Sequence, residues 1–180
     1  MKRILLCAAS LVLITVSCKK ILNETFTGFD ANVPDFQVTV PAIPVVPSGE
    51  ISLGSFTTSF NLDSTIRVNT GNIFSLSDVS SITVRQVVVN LPNGDASNNL
   101  SNFTSTRVTL ASNTDTIPAN FINLSFPDTA TQTVTNVPAS SPELIGYLKG
   151  NQLTYHIYGQ MRRPTSKALN MAVSVTFHFK

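Results

Sequence analysis

Over most of the chain, apolar and polar side chains alternate with a period of two. The clearest run is at the end: Leu169, Met171, Val173, Val175, Phe177 and Phe179 alternate with Asn170, Ala172, Ser174, Thr176, His178 and Lys180. Such alternation is the mark of a β-strand with one buried face. Leu153, Tyr155 and Ile157 share a face in the same way, and "MRRPTSKA" (161–168) between the two runs reads as a basic hairpin loop. Further upstream, Phe56, Thr58, Phe60 and Leu62 alternate with Thr57, Ser59 and Asn61, which predicts a strand running through Leu62. Ile82, Val84, Gln86 and Val88 alternate with Thr83, Arg85, Val87 and Val89. That run is apolar on both faces, as expected of a central strand. Phe103–Ala111, Ala119–Phe126 and the shorter Thr131–Val137 add three strands, the second with Ile122, Leu124 and Phe126 on one face. "LPNGD" (91–95) is a turn by its Pro, Asn and Gly.

Two segments depart from this period. In "SSPELIGYLKG" (140–150), Ser140 and Glu143 match a capping box, Ser141–Pro142 offers an alternative helix start, and Gly150 a stop. One helix of about two turns is expected there. In "VPDFQVTVPAIPVVPSGE" (33–50), Pro41, Pro44 and Pro47 recur every three residues, which suits a polyproline II ridge, a stiff spacer or an edge strand. About eight strands, turns every 8–15 residues and one short helix predict an all-β protein. The expected architecture is an antiparallel β-sandwich of immunoglobulin-like or jelly-roll type. The expected division is a leader over 1–17, a tether over 18–33, a Pro-rich lead-in over 34–49 and the sandwich over 50–180.

Composition changes the picture in one respect. Charged residues are 12% of the chain, while Ser, Thr and Asn supply 57 of 180 residues. The polar surface is therefore largely uncharged, which suits strands and turns in an extracytoplasmic protein. The formal charge of +2 comes from 12 basic and 10 acidic residues. Loss of a leader holding Lys2 and Arg3 would leave 10 against 10, so no nucleic-acid footprint is expected.

The N-terminus has three parts. Lys2 and Arg3 precede a mostly apolar run from Ile4 to Val16, which is short for a membrane span, and Ser17 precedes Cys18. "ITVSC" (14–18) resembles the lipobox of bacterial lipoproteins, with Thr15 at the position where that pattern has an aliphatic residue. The resemblance implies cleavage between Ser17 and Cys18, a diacylglycerol thioether on Cys18 and acylation of the new amine. More than one acyl chain is what stable anchoring takes. Cys7 would leave with the leader, so the sandwich would hold no thiol. Lys19 and Lys20 would sit beside lipid head groups or be merely solvated. The layout of lipobox, Pro-rich lead-in, "FNLDSTI" (60–66) and the closing strands is similar to that of small uncharacterised β-sandwich lipoproteins of the Bacteroidota. This implies the fold and an envelope location, and no activity. Lys19 in place of an inner-membrane-retaining Asp, with Glu24 the first acid after the cysteine, favours the outer membrane, on its periplasmic or surface face. In the same setting Asp63-Ser64-Thr65, Asp115-Thr116-Ile117 and Asp128-Thr129-Ala130 resemble O-glycosylation sequons, which would make Ser64, Thr116 and Thr129 acceptors. Ordinary turn chemistry explains the same tripeptides.

No catalytic residue, metal site or cofactor is expected. The sequence contains no G-x-S-x-G, P-loop, H-E-x-x-H or G-x-G-x-x-G. Hairpin pairing through 161–168 would set His156 opposite about position 173 and leave His178 roughly 15 Å further along, beyond shared ligation. Arg162, Arg163 and Lys167 could meet acidic glycans or lipid head groups, or simply keep a loop tip soluble. Tyr155 reads as core, while Tyr147 and Tyr158 could flank one surface. The expected protein is a lipid-anchored, non-catalytic structural or binding module, its partner an envelope protein or a glycan. The alternatives are an accessory glycan-binding lipoprotein and a fimbrial or adhesin-like subunit that exchanges its lead-in or last strand.

Overall fold

The computed structural model describes residues 28–32 and 35–180. The expected leader, with its expected cleavage point after Ser17 and Cys18 as the expected lipid acceptor, lies outside the described residues. Nine strands are present: β1 (Phe29–Asn32), β2 (Phe36–Val40), β3 (Ile51–Ser59), β4 (Ile82–Asn90), β5 (Phe103–Ser112), β6 (Ala119–Ser125), β7 (Thr133–Asn136), β8 (Gln152–Met161) and β9 (Leu169–Phe179). The described residues also form two short helices, α1 (Leu62–Asn69) and α2 (Ile145–Leu148).

The strands pair as one long folded hairpin. β1 and β2 both lie antiparallel along one edge of β9, β3 pairs with β8, β4 with β7, and β5 with β6. The hairpin is rolled so that β4 also pairs with β9 and β5 with β8. The result is two antiparallel sheets, β1/β2-β9-β4-β7 and β3-β8-β5-β6. If β1 and β2 are counted as one interrupted strand, the eight strands alternate between sheets in the order 1-8-3-6 and 2-7-4-5. That order is a jelly roll, and it settles the choice left open by the periodicity.

The core is the interleaved inner faces. All six large apolar residues of β9 from Leu169 to Phe179 are buried. Aromatic rings bridge the sheets: Phe177 and Tyr155 each lie 5.8 Å from Phe121, and Tyr155 lies 5.0 Å from Phe36. Burial pushes the Tyr155 phenol pKa well above its ordinary value.

The alternation misleads where a bulge intervenes. In β4 the register with β9 shifts between Val84 and Gln86. Ile82 and Val84 face the core before the bulge, and Val87 and Val89 after it. One extra residue flips the side-chain phase, so a strand buried on one face reads as apolar on both. β4 is central, between β9 and β7.

Four local expectations are corrected. The strand through Leu62 ends at Ser59, because Asn61 accepts from the Ser64 N–H and starts α1, with Asp63 and Arg67 paired one turn apart. A side-chain acceptor at the N-cap, an acid in the first turn and a base in the last are helix signals. They override a short alternation. The second correction is at 140–150, where the helix is one turn, and no box joins Ser140 to Glu143. Ser141 and Glu143 instead cover the edge of β4: Ser141 Oγ accepts from Val84 N, and the Glu143 carboxylate from Ile82 N and Ser81 Oγ. Third, the 162–168 segment is no hairpin. It crosses from one sheet to the other, so His156 stands opposite Ser55 and Thr109, and His178 opposite Asp30 and Thr83. Fourth, pairing along β9 begins at Phe29, so Phe29–Asn32 and Phe36–Val40, assigned above to the tether and lead-in, form the edge of a sheet. Phe36, Val38 and Val40 alternate with Gln37 and Thr39 there, and all three apolar side chains are buried.

Partial burial disfavours ionisation of Glu143, but hydrogen bonds from Ser81, Ile82, Ile145 and Leu144 outweigh it and hold the carboxyl below its ordinary 4.5. A carboxyl with a depressed folded-state pKa stabilises the fold above its unfolded pKa, and the gain is lost as pH falls through the folded value. Glu143→Gln should therefore flatten the fall in urea-unfolding free energy between about pH 5 and pH 3. An unchanged slope would mean that these bonds do not distinguish the charged form.

Candidate functional site

The rolled hairpin gathers four connections at one end of the sandwich: 41–50, 91–102, 126–132 and 162–168. Arg162 N and Arg163 N donate to Asn102 O, Thr165 N to Ile43 O, and Leu100 N to Thr131 O. Local sequence builds the ends of these links. Asp95 Oδ1 accepts from Ser97 N (2.9 Å) and Asn98 N (2.8 Å), an Asx-type turn. Asn99 Oδ1 accepts from Ser101 N, and Asn102 Oδ1 accepts back from Asn99 N, closing a one-turn 3₁₀ segment at Leu100–Asn102.

These asparagines are buried, with Asn98, Asn99 and Asn102 at 2–3% exposure. Buried amides must find partners, and these find them across loops. Asn102 Nδ2 donates to Ser97 O and, at 2.7 Å, to Pro164 O. Asn98 Oδ1 accepts from Ser166 N. Thr165, 1% exposed, receives the Ile43 N–H on its hydroxyl.

Arg162 is the hub. Its Nη1 donates to the carbonyls of Ser101 (2.9 Å), Phe103 (3.0 Å) and Pro127 (3.3 Å), and its Nη2 to Phe126 O (3.1 Å). Arg163 Nη1 bonds Ser101, and its other arm pairs with the Asp128 carboxylate. Lys167 Nζ lies 2.6 Å from Asp95. The Lys167 ammonium, then the Asn98 amide and the Ser97 N–H, hold the Asp95 carboxyl far below the usual carboxylate range. The three cations of this segment are thus engaged within the protein.

An open groove of about 430 Å³ lies among these loops, walled by Pro44, Pro164, Ser97, Asn98, Arg163 and Ser166. Its lining joins two proline rings, short hydroxyl-bearing side chains, Arg163 and the cross-bonded amides of Asn98 and Asn102. Such a surface is pre-shaped and nearly rigid, which lowers the ordering cost of recognition. At the rim, the Arg163–Asp128 pair presents a cation and an anion together.

The other sequence candidates are dispersed. Tyr158 lies on the outer face of its sheet with the Arg107 guanidinium 4.2 Å above its ring, and Arg107 is paired with Glu50. Tyr147 donates to Ile117 O at the opposite end. The two tyrosines flank no shared surface. His178 Nδ1 is 2.7 Å from Asp30. Ser64, Thr116 and Thr129 are all exposed. Each adjoining aspartate is engaged by its neighbours. Asp63 accepts from Leu76 N, Asp115 accepts from Ile117 N, and Asp128 pairs with Arg163. Among the described residues no three His, Cys, Asp or Glu side chains cluster as a metal site would require. The loop-end groove escaped the sequence because it joins residues up to 122 apart. Only the Asn-rich "NGDASNNLSN" (93–102) hinted at it.

No protein-family model and no curated protein matches the chain. Among solved structures, a chain of Triatoma virus is similar over 86% of this protein at 14% identity and a TM-score of 0.38. The chain corresponds to 64% of that viral chain. A Burkholderia pseudomallei antigen and type I fimbria protein is similar over 84% of this chain and 99% of its own, at 12% identity and a TM-score of 0.32. A marine algae virus of the order Picornavirales gives 87% and 71%, at 12% identity and 0.31.

Proposed function

We propose that this protein is a lipid-anchored, non-catalytic module of the bacterial cell envelope, held in the outer membrane at Cys18 and offering its loop-end groove to an envelope partner. One observation carries the reading. The chain enters the sandwich at Phe29, beside Phe179, whereas the groove lies beyond Leu169 at the other end of β9. The eleven residues of β9 separate the two ends by about 36 Å. A protein tethered through its N-terminus therefore carries the groove on the end remote from the membrane. The braced loops fit a surface built to be presented.

The test is the intact mass and detergent partitioning of the native protein. The expected product starts at Cys18, carries the mass of a diacylglyceryl group and a further acyl chain, and enters the detergent phase. Cys18→Ala should keep its leader uncut and carry neither the diacylglyceryl nor the acyl mass. Native protein of unmodified mass in the aqueous phase would remove the anchoring. The same spectrum reads glycosylation: added hexose units lost in a variant lacking Ser64, Thr116 and Thr129 would assign those exposed hydroxyls as acceptors.

A further inference from the structure

The end of the sandwich at which the chain enters is unlike the groove end. It gathers the connections 60–81 and 113–118 and the segment around α2, joined by Phe60 N to Asn151 O, Asn113 N to Gln152 O and Ser80 N to Lys180 O. Among the described residues, three of the six exposed large apolar side chains are here: Val68 at 77% exposure, Ile73 at 60% and Ile117 at 75%. The fold does not explain them. Leu62 and Ile66 make the buried stripe of α1, and Val68, two residues on, lies about 200° round the helix from Ile66. The same end carries the half-buried Tyr147, whose hydroxyl is fixed on Ile117 O, the exposed Arg67, Lys149 and Lys180, and the carboxylates of Asp78, Asp115, Glu143 and Asp63, the last paired with Arg67. Aliphatic tips on an end that also holds a tyrosine and long cationic side chains suit the boundary between hydrocarbon and water.

We propose that this end is a lipid-contact surface, with Val68, Ile73 and Ile117 resting in the head-group region of the bilayer that holds Cys18. The proposal rests on the anchoring reading above. The length of chain decides the occupant. Nine residues, 19–27, and so ten Cα-to-Cα steps, separate Cys18 from Gly28. Fully extended they reach at most about 35 Å, and as a flexible coil about 15–20 Å. The end that meets this tether is therefore the part of the domain held nearest the membrane. Three side chains would not retain a free protein, but a tether makes the contact intramolecular, so a weak surface suffices.

The lipid thioether would consume the Cys18 thiol, so a single introduced cysteine can carry a spin label. Val68→Cys, Ile73→Cys and Ile117→Cys would be labelled in the mature lipoprotein, with Val45→Cys at the groove end as control. The protein would then be reconstituted on phosphatidylcholine–phosphatidylethanolamine vesicles. The expected result is loss of accessibility to a water-soluble nickel chelate at 68, 73 and 117, retained accessibility at 45, and co-flotation of all four. Co-flotation with equal accessibility at every site would overturn the surface and leave the anchor standing. Failure to float would overturn the anchor and the surface with it. Shielding that arises without vesicles and grows with protein concentration would give the surface to a second copy, and so overturn the proposal.

Discussion

A chain beginning at Pro41 should show no cooperative unfolding transition, whereas one beginning at Gly28 should melt as the whole protein does. The strands removed, β1 and β2, pair along the outer edge of β9, from Phe179 to Thr176 and from Val173 to Leu169. They bury Phe36, Val38 and Val40 at 7% exposure or less. At about 1.5–3 kcal/mol for each buried side chain, the loss is on the order of 5–8 kcal/mol. Domains of this size are stable by about 5–15 kcal/mol. The apolar term alone approaches that range. Deletion also removes the ring 5.0 Å from Tyr155 and leaves the longest strand with an unpaired, flat, apolar-faced edge, which invites aggregation. Thermal circular dichroism of the two purified chains checks this. A Pro41 chain that melts at the same temperature as the Gly28 chain would mean that residues 29–40 are only a lead-in.

That boundary shows what was legible in the sequence. Alternation found β5, β6, β8 and β9 nearly to their ends, because a strand with one buried face writes its period directly. It also chose a sandwich. It did not supply the strand partners, which depend on contacts between distant residues. β8 and β9 are neighbours in sequence with a seven-residue link, and a hairpin was the natural reading. They lie in different sheets because each is already flanked on both sides, β8 by β3 and β5, and β9 by β1/β2 and β4. The short β2 was hidden by the prolines that follow it, and α1 by a chance alternation across Phe60 and Leu62. The groove-end network was least visible. Asparagine in a loop reads as turn chemistry, and nothing local says that Asn102 will satisfy a carbonyl 62 residues away.

Arg162→Ala should destabilise the protein by about 3–5 kcal/mol, while Arg163→Ala, one residue on, should cost about 1 kcal/mol or less. The two share a loop, a charge and a neighbour in Asp128. They differ in what they hold. Arg162, with 25% of its side chain exposed, donates to four backbone carbonyls from the 101–103 and 126–127 segments. Hydrogen bonds from a charged donor are worth about 1.5–3 kcal/mol each, and they do not add fully. Some of the freed carbonyls will find water, which sets the lower figure. Arg163 is 47% exposed and Asp128 60%, so their pair is screened, and the Ser101 bonds are the main loss. Arg162→Lys should recover less than half of the deficit, because an ammonium cannot span the carbonyls that a planar fork reaches from two nitrogens. Urea-unfolding midpoints of the three variants give the comparison, and amide exchange gives its location. Protection should fall in 91–102 and 126–132 for Arg162→Ala and stay near the wild-type level for Arg163→Ala. Equal costs for the two alanine variants would show that the loop end is held by charge balance, with no special role for the guanidinium that joins its carbonyls. The groove would then be a looser surface than its hydrogen bonds describe.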